Sequence, residues 1–399
     1  MRDDFIFGVT LCEVPAEVKE KDLEKLKELG VNGLRLHFSW KDIEKEKEKF
    51  DFSFYDSLID KAKENGFFVI AGIGSGYSSM LPFWIVEEIK DELNVFSYIP
   101  KLSRFVNEAV EQFKGKIDIW QAENEINHTS FHVVNGWREK SWALNPVVEL
   151  SVLLGIISII KANDPEARVM INLECDNPNW EYFLKFFTEN KLSFDIIGID
   201  FYPCYSPVFS PDDHIFSEPE RILKLSEIID KASEFKKDVI VAETGYPSPK
   251  GLYTYENQAS YIHQACQVAL SSKAKGLFIW EFADQYSKKP EFPEYYFGLL
   301  DNNRKLKLAG EVYKNEIKRE GQTIIISVKG ILFREKKQGI EVYINNGFVG
   351  KTNCDGFFIS ENLKEGEYKI AVKGLLPWQV TSKKIKLDKG ISESIKFIL

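Results

Sequence analysis

Five short stretches of the 399-residue chain carry side chains able to do acid, base or nucleophilic chemistry. "WQAENEIN" (120–127) sets Glu123, Asn124 and Glu125 directly after apolar Trp120 and Ala122, and "VAETGYPS" (241–248) ends an apolar run on Glu243 and Thr244. "GLRLHFSW" (33–40) supplies Arg35, His37 and Trp40, "IGIDFYP" (197–203) supplies Asp200 and Tyr202, and "FIWEF" (278–282) supplies Trp280 and Glu281. An ionised carboxylate in a dry core is so costly that it shifts its pKa or finds a partner. Carboxyls gathered where buried strands end therefore point to a site. Two of them opposed across a cleft can cleave a glycosidic bond, one protonating the leaving oxygen and the other attacking as an ionised nucleophile. A nearby guanidinium and a phenol keep a nucleophile charged, and Arg35 and Tyr202 are the candidates for that work. Trp280 offers a flat apolar platform under a sugar ring, and Asn124 can hydrogen-bond a ring hydroxyl.

The elements that must position these groups follow from periodicity. Short apolar runs recur at 5–10, 33–38, 67–74, 117–124, 167–174, 194–202, 238–244 and 275–282. Amphipathic stretches lie between them, such as "EKDLEKLKELG" (20–30) and "FYDSLIDKAKENG" (54–66), which end in Gly as helices commonly do. Strands buried on both faces and alternating with helices pair in parallel, and eight such units predict a closed (β/α)8 barrel, with its active site at the C-terminal ends of the strands. Strands four and seven are three apart in that ring, so Glu125 and Glu243 face each other across its mouth. Of Arg35 and His37 we expect one to enter the barrel and favour Arg35, keeping His37 and Trp40 among the substrate contacts.

These motifs together resemble clan A of the retaining glycoside hydrolases over roughly residues 5–315. The resemblance implies a (β/α)8 TIM barrel, Glu125 as acid/base, Glu243 as nucleophile, retention at the anomeric carbon and no cofactor or metal. The segment 33–66 is similar to the region of such enzymes where an Arg lies close to the nucleophile, and "FGLLDNNRKLKLAGEVYKNEI" (297–317) to their closing loop and last helix. "AETGYPS" is most like the nucleophile strand of β-1,3-glucanases and endo-β-1,4-galactanases. Glu123 replaces the small or apolar residue those families commonly carry before Asn-Glu, and "GIGSGYSSMLPFW" (72–84) lacks the His of the cellulase-like families.

After about residue 318 the pattern changes to short alternating runs punctuated by Asn346-Gly347 and Asp355-Gly356. This predicts a catalytic domain over 1–317 and a small all-β domain over 318–399, which resembles PEGA or carboxypeptidase-regulatory-like modules; the resemblance implies a β-sandwich. Tyr368 and Trp378 are read as core packing within it.

The formal charge of −9 and the lack of a basic stripe exclude nucleic acid as the main partner. We find no apolar run of about 18 residues and therefore expect no membrane span. The start "MRDDFIFGVT" shows no signal segment, so a cytoplasmic protein is expected, or a secreted one whose leader was removed. Five cysteines without CxxC read as small buried hydrophobes. Lys/Glu runs read as solvated helix faces and suit a thermophilic source. The spacing of Glu125, His128 and His132 is also that of metal sites, a reading we place below substrate contact or ordinary hydrogen bonding. The function expected is endo-acting cleavage of a β-linked oligo- or polysaccharide. An exo-acting β-glycosidase and a catalytically silent carbohydrate-binding barrel are the alternatives.

Overall fold

The computed structural model describes residues 4–11, 20–74, 81–89, 95–127, 145–202, 219–248, 253–285, 293–319, 322–329, 338–352, 356–374, 379–388 and 393–399. Eight parallel strands close into a barrel in sequence order: β1 (Ile6–Thr10), β2 (Gly33–His37), β3 (Phe68–Ile73), β4 (Ile119–Ala122), β5 (Arg168–Glu174), β6 (Ile196–Phe201), β7 (Asp238–Thr244) and β8 (Ala274–Ile279). Pairing of β1 with β8 through Ile6↔Gly276 and Val9↔Ile279 removes both sheet edges.

Alternation along each strand divides two apolar cores. Outward residues such as Val9, Leu34, Leu36, Val69, Val169, Ile197 and Leu277 pack under the surrounding helices. Inward residues Ile70, Ile119, Met170, Ile196, Ile240, Ala242 and Phe278 fill the lower interior as a separate cluster, so this part of the barrel is a packed plug and not a pore. Gly8 and Gly33 make room for the Phe278 ring, since a Cβ on Gly8 would stand 2.2 Å from it.

One helix corrects the reading that no apolar run reaches about 18 residues. Pro146–Asn163 is long and apolar enough, by length and composition, to cross a membrane. In the fold it begins on an Asn145 cap whose side chain accepts from the Val147 N–H. It buries Val152, Leu153, Ile156, Ile157 and Ile160, and its other side is open, with Val147 and Leu154 exposed.

The last helix packed on the barrel, Leu308–Ile317, precedes a β-sandwich. Its strands are β9 (Gln322–Lys329), β10 (Glu341–Ile344), β11 (Gly347–Lys351), β12 (Phe357–Leu363), β13 (Gly366–Lys373), β14 (Val380–Leu387) and β15 (Glu393–Ile398). They form a four-stranded sheet ordered β11-β10-β13-β14 and a three-stranded sheet ordered β12-β9-β15. Ile324, Ile326, Val342, Ile370, Val372 and Phe397 make its core, with Tyr368 partly buried against it. The β10–β11 turn is centred on Asn345-Asn346, one residue before the expected Asn346-Gly347. Both residues hold positive φ, as a type I′ hairpin requires.

Polar contacts dock the sandwich on the barrel. His263, on helix Tyr255–Leu270, bridges Glu316 and Glu361, Thr323 donates to Gln267, and Lys329 pairs with Glu227 at 2.7 Å. Ile325 and Phe357 join the barrel's core. Cys175 and Cys266 are free and buried, as small hydrophobes; the other three cysteines lie outside the described residues.

Candidate active site

The polar residues sit on the same inward rows as the apolar plug, one step nearer the C-terminal ends. On β4 the inward sequence runs Ile119 then Gln121, on β5 Met170 then Asn172, and on β6 Ile196, Gly198, then Asp200. Strand β7 does not follow this simple alternation. Ile199 pairs with Val241 but Asp200 pairs with Glu243, so β7 carries an extra residue at Ala242. This bulge lets Ala242 fill the interior while Glu243 is still aimed into the mouth.

Arg35 organises the cluster. Its Nε donates to Gln121 Oε1 (2.8 Å), one terminal nitrogen to Glu243 Oε1 (2.5 Å) and the other to Asn124 Oδ1 (2.8 Å). Tyr202 donates to the second Glu243 oxygen at 2.9 Å, so both oxygens of that carboxylate are held by donors. Gln121 also donates to Asn124 Oδ1, which sets the orientation of the Asn124 amide. Burial works against the Arg35 charge, but the facing, hydrogen-bonded Glu243 carboxylate outweighs it and holds the guanidinium protonated.

Glu125 leaves β4 with φ +42 and Glu123 with φ +59, left-handed conformations that cost a non-glycine residue about 1–3 kcal/mol each. The Glu125 N–H donates to Asn172 Oδ1 at 2.8 Å and the Ile126 N–H to the Asn172 carbonyl at 3.2 Å, so β5 fixes this strained turn. Glu123 turns instead toward Gly74 at the end of β3, apart from the acid position. The carboxyl oxygens of Glu125, Asp200 and Glu243 come within 4.8 Å of one another. Such a trio could hold a cation, but the Arg35 guanidinium already supplies the positive charge beside Glu243.

Most of the expected residues converge here. Trp280 follows β8 at the mouth with 9% of its surface exposed, and the peptide bond after it is cis. Two expectations change. Arg35 and His37 are two residues apart and so share the inner face; His37 lies over Gly72, its partner on β3, where a Cβ would meet the imidazole at 2.2 Å. Burial, and then the Arg35 charge, push the His37 pKa well below its ordinary value, so this imidazole is neutral. Trp40 is not a sugar platform. It is fully buried, stacked on Phe105 at 4.7 Å, with its indole N–H donated to Glu44. Trp84 likewise packs under Lys47 and Arg104 and donates to the Glu44 carbonyl. His128, His132, Trp137, Trp142 and Trp378 lie outside the described residues.

Sequence reading passed over Gln121 and Asn172. The signal was present: each is an amide on the inward parity of an otherwise apolar strand.

A profile of glycosyl hydrolase family 53 matches residues 101–315, which include Glu125 and Glu243, and one of glycosyl hydrolase family 42, described as beta-galactosidase, matches residues 12–98. No curated protein matches the chain in sequence. Among solved structures, native xylanase 10B from Thermotoga maritima is 19% identical with a TM-score of 0.57, over 79% of this chain and 95% of that one. The endo-beta-1,4-mannanase from Thermotoga petrophila is 15% identical with a TM-score of 0.59, over 99% of both chains. A GH5_18 protein from Streptomyces cattleya, in complex with GlcNAc, is 16% identical with a TM-score of 0.62, over 83% of this chain and 85% of that one. These likenesses establish the shared fold.

Proposed function

The chain belongs to glycosyl hydrolase family 53, and from that premise we propose that this glycosidase cleaves β-1,4-linked galactan internally by double displacement, with Glu125 as acid/base and Glu243 as nucleophile. The observation that carries the reading is the approach of their oxygens to within 4.8 Å. This approach is in line with the separation of about 5–5.5 Å in retaining enzymes and short of the about 6.5–9.5 Å between the carboxyls of inverting ones.

In the first step Glu125 gives its proton to the leaving glycosidic oxygen while Glu243 attacks the anomeric carbon. In the second, Glu125 takes a proton from water, which displaces the sugar from the Glu243 ester. Arg35 and Tyr202 each hold one Glu243 oxygen and so aim the carboxylate before attack. Asn124 and His37 contact sugar hydroxyls, and the Trp280 ring stacks under the sugar. The partial family 42 match supports galactose as the sugar and makes an exo-acting β-galactosidase the second reading.

The test is hydrolysis of β-linked galactan, glucan, mannan and xylan by the wild type and by Glu243→Ala with azide. The expected result is galactan cleavage to a ladder of oligosaccharides, lost in the variant and restored by azide as an α-galactosyl azide. Galactose alone as product selects the exo reading. Binding without hydrolysis by the wild type selects the silent barrel.

A further inference from the structure

Three carboxyls meet at the mouth, and double displacement uses two of them. The third, Asp200, is fully buried and stands between Glu174 on β5 and Glu243 on β7 in the ladder. Arg35 directs its hydrogen bonds to Gln121, Glu243 and Asn124. The donor on Asp200 is the Asn172 amide, whose Nδ2 reaches Oδ1 at 2.8 Å. Its Oδ2 is sealed from solvent with no partner among the described residues. Asn172 in turn accepts the Glu125 N–H on its own Oδ1. An amide donates through nitrogen and accepts through oxygen, so the acceptor on Asp200 decides which end of Asn172 faces Glu125.

We propose that Asp200 is an uncharged positioning residue: as a carboxylic acid it accepts from Asn172 with one oxygen, keeps its proton on the other, and so fixes the strained backbone that carries Glu125. The charged and titratable groups around it are Glu125 beyond β4, Glu174 and Cys175 at the end of β5, Glu243 on β7 and Arg35 on β2. Burial, then the charge of Glu243, hold the Asp200 carboxyl well above the usual range, against the pull of Arg35. The inference rests on the double-displacement reading for its constancy through turnover. In the free enzyme Glu243 is charged and Glu125 protonated; in the glycosyl-enzyme Glu243 is an ester and Glu125 charged. One carboxylate faces Asp200 in either state, so its proton stays in place.

The test compares Asp200→Asn, which reproduces the neutral acid's acceptor and donor, with Asp200→Ala, which releases Asn172. On β-1,4-galactan, Asp200→Asn is expected to keep kcat within about threefold and its alkaline pH limb no lower than wild type. Asp200→Ala should lose about 10–100-fold in kcat with KM nearly unchanged, the scale of a misplaced catalytic group. Infrared difference spectra of the substrate-free wild type against Asp200→Asn at pH 7 should show a protonated carboxyl band present only in the wild type. Asp200→Asn falling as far as Asp200→Ala, or a folded Asp200→Ala with wild-type kcat, overturns the proposal. A carboxylate band in the difference spectrum overturns it even if the wild type does not cleave galactan, an outcome that would count against the substrate reading alone.

Discussion

The lower interior of the barrel, filled by Ile70, Ile119, Met170, Ile196, Ile240 and Phe278, and the upper interior, filled by Arg35, Gln121, Asn172, Asp200 and Glu243, are built by the same strands. The lower half gains from removing apolar surface from water, and its tolerance is limited by packing. The upper half buries charges whose desolvation roughly cancels their attraction, so it adds little stability and depends on every group having its partner. Folding strength and chemistry are thus separated by a single step along each strand, and perturbations of the two halves should read out in different measurements.

The largest effect is expected at the top. Glu243→Ala should lower the hydrolysis rate on the order of 10⁴-fold, as removal of a catalytic side chain commonly does; initial rates on polysaccharide check this. At the bottom, Phe278→Ala should cost about 3–5 kcal/mol of stability in denaturant unfolding, while the folded fraction keeps its turnover number. If the turnover of that fraction falls with the stability, the separation is broken.

A third region calibrates the contrast. His263 sits between Glu316 and Glu361 at the contact of barrel and sandwich. Burial opposes its charge, but these carboxylates raise its pKa from 6.5 to about 9. Its folded pKa lies above its unfolded one, so the stabilisation is complete below about pH 6.5 and is lost as pH rises through about 9. At most this is about 3 kcal/mol, from 1.36 kcal/mol per unit. Unfolding measured from pH 6 to 10 should show this decline, and His263→Ala should flatten it without changing the low-temperature hydrolysis rate.

The smallest effects come from a matched pair. An added Cβ on Gly8 meets the Phe278 ring at 2.2 Å, and one on Gly72 meets the His37 ring at 2.2 Å. Gly8→Ala should cost about 1–3 kcal/mol in melting experiments. Gly72→Ala should displace the imidazole and raise KM severalfold. Equal effects of both variants on KM would remove the distinction between the halves.

Much of the barrel was legible because a buried strand is a short apolar run and a packed helix a longer periodic one, and these signals are local. Glu125 and Glu243 were legible because carboxyls at the ends of such runs are too costly to be neutral accidents in combination. Trp40 misled because an aromatic next to polar strand-end residues looks the same whether it faces a cleft or, as here, Phe105. Gln121 and Asn172 were passed over because an amide in an apolar run has no meaning until its partners across the barrel are known.

By itself the sequence determined the order of the eight strands, the alternation that separates the inner and outer faces, and the residue types available at the mouth, all consequences of backbone periodicity and the cost of burying charge. Only the tertiary structure decided which of those residues meet. Closure of β1 on β8 brings Arg35 to Glu243 across 208 positions of chain, the extra residue in β7 turns Glu243 inward, and Asn172 ties Asp200 to the backbone of Glu125. These contacts arise from ring closure and register, which depend on all eight strands at once and are written in no single stretch of the chain.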